Sequence, residues 1–169
     1  LDTVSFTAGE GQMISLLGPN GVGKSTLFKC MLGVLRRFDG IVEIGGKSIA
    51  GMDLRTLAHL IAYIPQSHYP AFNYTVFDMV LMGTSSHVSA FSPPGPAQTE
   101  AAMQALVRLG IDSFAERDYM RISGGERQLV LIARALAQKS RILLMDEPTA
   151  NLDYGNQMRV LSCIRGLAE

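Results

Sequence analysis

Gly18-Pro19-Asn20-Gly21-Val22-Gly23-Lys24-Ser25-Thr26 fits the phosphate-loop pattern G-x-x-x-x-G-K-[ST]. Its flanks suit that reading. Met13-Ile14-Ser15-Leu16-Leu17 has the apolar run of a short buried strand, and Leu27, Phe28, Met31, Leu32 and Leu35 recur beyond it at helical spacing. Strand, glycine loop and helix together make a cradle for a polyphosphate. Gly21 and Gly23 permit backbone conformations that a side chain would forbid. The loop Gly18, Pro19, Asn20, Gly21 and Gly23 can then turn its N–H groups, which every one of these but Pro19 carries, toward phosphate oxygens, and the helix N-terminus adds partial positive charge. Lys24 is placed to reach the β- and γ-phosphates, the Ser25 hydroxyl to ligate Mg²⁺, and Thr26 to touch the α-phosphate.

Two further stretches belong with this loop. Ile142-Leu143-Leu144-Met145 reads as a strand buried on both faces of a parallel sheet. It ends in Asp146-Glu147-Pro148, at the strand end where open α/β sheets bind ligands. Asp146 is a candidate Mg²⁺ holder, and Glu147 a candidate general base for an attacking water. Ser123-Gly124-Gly125-Glu126-Arg127 has the Ser-x-x-Glu spacing of a capping box, with Leu129, Ile132, Ala133 and Leu136 marking the buried face of the helix that follows. Such a helix start is also suited to an anion.

The order and spacing of these motifs resemble those of the ATPase subunits of ABC transporters, over nearly the whole chain. GPNGVGKST resembles the Walker A loop and LLMDE the Walker B strand. The resemblance implies that Ser123, Gly124, Gly125 and Glu126 grip the γ-phosphate of ATP held by a second subunit. It implies that Gln66 links Mg²⁺ and the attacking water to a transport subunit, and that Asn151-Leu152-Asp153 crosses the dimer interface. Lys24, Gln66 and Glu147 would be the catalytic groups, Ser25, Gln66 and Asp146 the metal ligands, and Asp153 a further contributor to the nucleotide site. SGGER departs from the commoner SGGQ; Glu and Gln both serve at the third position of a capping box. Expected partners are a second ATPase subunit, transmembrane permease subunits and, indirectly, a substrate-binding protein, with the chain peripheral on the cytoplasmic face of the membrane. Ala62 to Gly83 and Asp146 to Gln157 resemble importers of metal chelates such as iron–siderophore, haem or cobalamin. The family also carries an adenine-stacking aromatic upstream of position 1 and a γ-phosphate histidine beyond Glu169, which implies a piece cut at both ends.

An α/β core over residues 1–66 and 126–169 is expected, with a helical subdomain over 67–125. Thr75 to Met82 reads as one helix of the insert. Gln98 to Leu109 reads as another, with Met103, Leu106 and Val107 inward, Pro96 at its start and Gly110 as its stop. Met158, Leu161, Ile164 and Leu167 set the period of the last helix. Tyr69, Phe72, Tyr74 and Phe77 suit either a small core of the insert or a docking surface.

Composition narrows the alternatives. The 169 residues are 47% apolar and carry 15 basic and 15 acidic side chains, so a nucleic-acid binder relying on a basic surface is not expected. No apolar run reaches membrane-span length. Cys30 and Cys163 read as small core residues, and His59, His68 and His87 form no ligand pattern. The main alternative is a soluble ABC-type ATPase of chromosomes or ribosomes. Chromosome-type members carry a long coiled coil between the equivalents of Gln66 and Ser123, and the 56 residues between them here hold no sustained heptads.

Overall fold

Local punctuation accounts for most elements of the computed structural model, which describes residues 3–66, 68–87, 93–150 and 152–168. Helix α1 (Lys24–Met31) begins directly after Gly23. Strands β1 (Glu43–Ile44) and β2 (Lys47–Ser48) form an antiparallel hairpin whose turn is Gly45-Gly46. Both glycines have positive φ, as the two-residue turn with matching twist requires. Asp53 caps α2 (Leu54–Leu60) by accepting from the Thr56 amide at 2.7 Å. After β3 (Ile61–Ile64), Thr75 and Asp78 close a capping box on α3 (Val76–Leu81), and a 3-10 turn continues to His87. Helix α4 (Pro96–Arg108) takes Pro96 in its first turn and is followed by Gly110 at φ 65°. Helix α5 (Gly124–Ala137), strand β4 (Ile142–Met145) and helix α6 (Tyr154–Ala168) complete the order.

The α/β character rests on β3 and β4, which pair in parallel from Ile61 opposite Ile142 to Ile64 opposite Met145. The ladder extends at both ends, Arg141 N to Leu60 O and Asp146 N to Ile64 O. The period of two divides the pair between two cores. Ile61 and Leu144 join Phe28, Ile49 and Leu57 on one side. Ala62 and Ile64 join the larger cluster built with α3 to α6, and Leu143 and Met145 pack against it. Helix α5 is the centre of that cluster. Nine of its 14 residues are buried, so it is enclosed rather than laid on a surface. It packs on α3, α4, α6 and β3.

Three expectations are corrected. Met13–Leu17 forms no strand; Met13, Ile14 and Leu17 are exposed, and only Leu16 packs against the smaller core. No described strand lies beside it, and a strand without a neighbour has neither a ladder nor a face to bury. On α4 the inner residues are Ala102, Ala105 and Leu106, while Met103 and Val107 face outward. On α6 Val160 and Ile164 are buried, with Cys163 and Leu167 against the core, while Met158 and Leu161 are exposed. The aromatic cluster divides: Tyr74 and Phe77 pack on the main core, whereas Tyr69 and Phe72 are about 70% exposed. Cys30 is buried and Cys163 half-buried. Among the described residues no helix is long and apolar enough to cross a membrane.

Candidate functional site

The parallel register brings the C-terminal ends of β3 and β4 side by side, and the candidate residues gather there. Helix α1 lies over one face of the pair, with Phe28 in the core that Ile61 and Leu144 share. Its first turn is thereby carried to the strand ends. The Ser25 hydroxyl donates to Asp146 Oδ2 at 3.0 Å. Gln66, two residues beyond β3, donates from Nε2 to Glu147 Oε2 at 2.9 Å. Glu147 has φ 47°, in the left-handed region, and its carbonyl accepts from the Ala150 amide. The chain thus turns sharply off β4 with the Glu147 side chain exposed.

The phosphate loop is bridged by its own lysine. Lys24 Nζ donates to the carbonyls of Gly18 at 2.7 Å and Pro19 at 3.2 Å, so the ammonium spans the loop. Gly21 and Gly23 have φ of 81° and 104°, both costly for a residue with a Cβ. Gly23 stands at the N-cap of α1, and no side chain caps the helix. Asn20, Gly21, Ser25 and Thr26 are exposed around this opening. A flexible polyphosphate suits such an open loop. A cavity of about 200 Å³ lies elsewhere, between β3 and α5, lined by Pro65, His68, Leu131 and Arg134, and contains no loop residue.

Ser123, Gly124, Gly125 and Glu126 form the capping box. Ser123 N donates to Glu126 Oε2 at 2.7 Å, and Glu126 N donates to Ser123 Oγ at 3.3 Å. Hydrogen bonding from the Ser123 side chain, and then from its backbone N–H, holds the Glu126 carboxyl below the usual range. Gly125 is required by close approach: a Cβ there would collide with the Asn156 side chain. Asn156 is held in turn by Asp153, which accepts from its amide N at 3.0 Å and from Nδ2 at 2.6 Å. These bonds keep the Asp153 carboxyl below its ordinary value. Asp153 therefore caps α6 and props the start of α5; Asn151 lies outside the described residues. Among the described residues no hydrogen bond links Ser123–Glu126 to the phosphate loop.

The hydroxyl of Ser25, the carboxylate of Asp146 and the amide oxygen of Gln66 are hard oxygen donors, which suit Mg²⁺. They are too few for an all-protein cage and fit an ion shared with phosphates and water. Ser25 can keep donating its hydrogen to Asp146 while offering a lone pair to a metal.

Sequence reasoning passed over two residues. The Tyr63 hydroxyl donates to Asp146 Oδ2 at 3.2 Å. Burial first, and Asp146 second, raise its pKa, so it stays a donor. Asn156 joins Gly125 to Asp153. The alternation of β3 places Tyr63 on the face of Ile61, but only the β3–β4 register reveals that Asp146 shares it.

Residues 1–150 match the family model described as ABC transporter. An uncharacterized ABC transporter ATP-binding protein of Haemophilus influenzae is 46% identical over 164 residues, covering 97% of this chain and 62% of the relative. An ATP-binding protein of Helicobacter pylori named for iron chelatin transport is 41% identical over 166 residues, covering 98% and 65%. The chain thus spans a little under two thirds of these curated relatives' length. A solved structure described as an inward-facing conformation of a metal-chelate type ABC transporter superposes with TM-score 0.87 at 39% identity, covering 98% of this chain and 61% of that one.

Proposed function

Because this chain belongs to the ABC transporter family, we propose that it binds and hydrolyses ATP to drive membrane transport. The observation that carries the proposal is the meeting of four side chains from three elements: Ser25 with Asp146, and Gln66 with Glu147. The loop from Gly18 to Thr26 would hold the triphosphate, with Lys24 leaving its two carbonyl partners to bind β- and γ-oxygens. Mg²⁺, held by Ser25, Asp146 and Gln66, would supply charge neutralisation between the phosphates. Glu147 would accept the proton of the attacking water, and Gln66 would orient that carboxylate.

The site is open on one side, and the capping box at Ser123 is not joined to it. Both features support a second copy, whose Ser123–Glu126 segment would close over the nucleotide. The working assembly is then a homodimer on transmembrane permease subunits, at the cytoplasmic face, served by a substrate-binding protein. The cargo class we favour is a metal chelate, on the likeness to the iron chelatin relative and to the metal-chelate transporter structure.

The test is phosphate release from MgATP by the purified protein and its Lys24→Ala variant. Wild type should turn over and the variant should lose nucleotide affinity and turnover together. Equal affinity and turnover in the two would overturn the reading. For cargo, uptake of a labelled ferric chelate by cells carrying the Lys24→Ala allele should be lost, and undiminished uptake would exclude that cargo.

A further inference from the structure

The geometry points to Tyr63 as a positioning residue that fixes the Asp146 carboxylate for metal binding. This rests on the proposed role of Asp146 and goes beyond it by adding a residue. Tyr63 sits on β3 opposite Leu144, so Asp146 lies two positions further along the neighbouring strand, on the same face. A tyrosine is long enough to span that diagonal, and its hydroxyl reaches Oδ2 at 3.2 Å. Oδ2 therefore receives two hydroxyl donors, from Tyr63 and from Ser25. Two donors on one oxygen fix the rotation of the carboxylate.

The other end of the tyrosine is anchored as well. Its ring packs edge-on against Phe28, with centroids 6.4 Å apart and an interplanar angle of 62°. Phe28 is three residues beyond Ser25, on the same side of α1. Tyr63 thus ties the helix that supplies Ser25 to the strand that supplies Asp146. One side chain sets the separation of two metal ligands that come from distant parts of the chain.

Tyr63→Phe removes the hydroxyl and keeps the ring against Phe28. Mn²⁺ serves as a spectroscopic stand-in for Mg²⁺, with its affinity for the purified protein–ATP complex read by electron paramagnetic resonance. Losing the hydrogen bond that orients a ligating carboxylate predicts Mn²⁺ affinity weaker by about 10- to 100-fold. ATP affinity in EDTA should be unchanged. In an Asp146→Asn background the same change should have little further effect. Equal Mn²⁺ affinity in wild type and Tyr63→Phe would overturn the positioning role alone, provided Asp146→Asn still weakens the metal. A loss of EDTA-insensitive ATP affinity equal to the metal effect would show a structural role instead. If Asp146→Asn also left Mn²⁺ affinity intact, the reading of the site and this inference would both fall.

Discussion

Glu147 carries both a catalytic proposal and a backbone cost. Its φ of 47° is a conformation that side chains with a Cβ adopt at a cost of about 1–2 kcal/mol. Glu147→Gly should relieve that cost, offset in part by loss of the exposed bond from Gln66. We expect a thermal midpoint equal to or above wild type, with hydrolysis reduced by about 10²- to 10⁴-fold. Differential scanning calorimetry and phosphate release measure both, and a destabilised variant with full turnover would contradict the assignment. The residues legible in the sequence at this scale were those whose chemistry is local. Lys24, Ser25, Asp146 and Glu147 follow from motif spacing, and the structure gathers Ser25, Gln66, Asp146 and Glu147 at one end of the sheet. Tyr63 was not legible because its partner is fixed by strand register, 83 positions away.

Helix starts and stops were read well because they depend on neighbours within a turn: Ser123 with Glu126, Thr75 at α3, Gly110 after α4. Helix faces were read less well. Periodicity fixes the spacing of inward residues but not which phase meets the core, so Met103 and Val107 were exchanged for Ala102 and Ala105. The Met13–Leu17 run failed for a related reason, since hydrophobicity cannot supply the neighbouring strand. Two predictions belong to α5. Gly125→Ala should destabilise by about 1–3 kcal/mol through overlap with Asn156, and Asn156→Ala should recover part of it. Chemical denaturation of the single and double variants reads this; additive effects would show that the contact does not matter. Glu126 gives the second. Its folded pKa lies below the unfolded value, so its contribution is present above the ordinary glutamate range and is lost as pH falls through the folded value. Between about pH 5 and 3 the melting temperature of wild type should fall more steeply than that of Glu126→Gln, which keeps a capping residue but does not titrate. Identical slopes would remove Glu126 from the pH response.

For the whole molecule, the open phosphate loop and the detached capping box make the proposed dimer the object to test. Glu147→Gln should bind MgATP without consuming it and elute as a dimer in size-exclusion chromatography with MgATP, and as a monomer without it. A monomer at saturating ATP would argue against closure by a second copy. The architecture also has a consequence for how the chain acquires its site. Gln66 and Glu147 stand 81 positions apart, and the two strands that deliver them are separated by α3, α4 and α5. Parallel strands cannot zip from a hairpin; the intervening chain must collapse before they meet. Helix α5, enclosed by α3, α4, α6 and β3, is part of that intervening chain and packs directly on β3. The alignment of Gln66 with Glu147 therefore depends on long-range contact and on no local turn. A molecule in which β4 has not docked cannot hold Asp146 against Ser25 or Glu147 against Gln66.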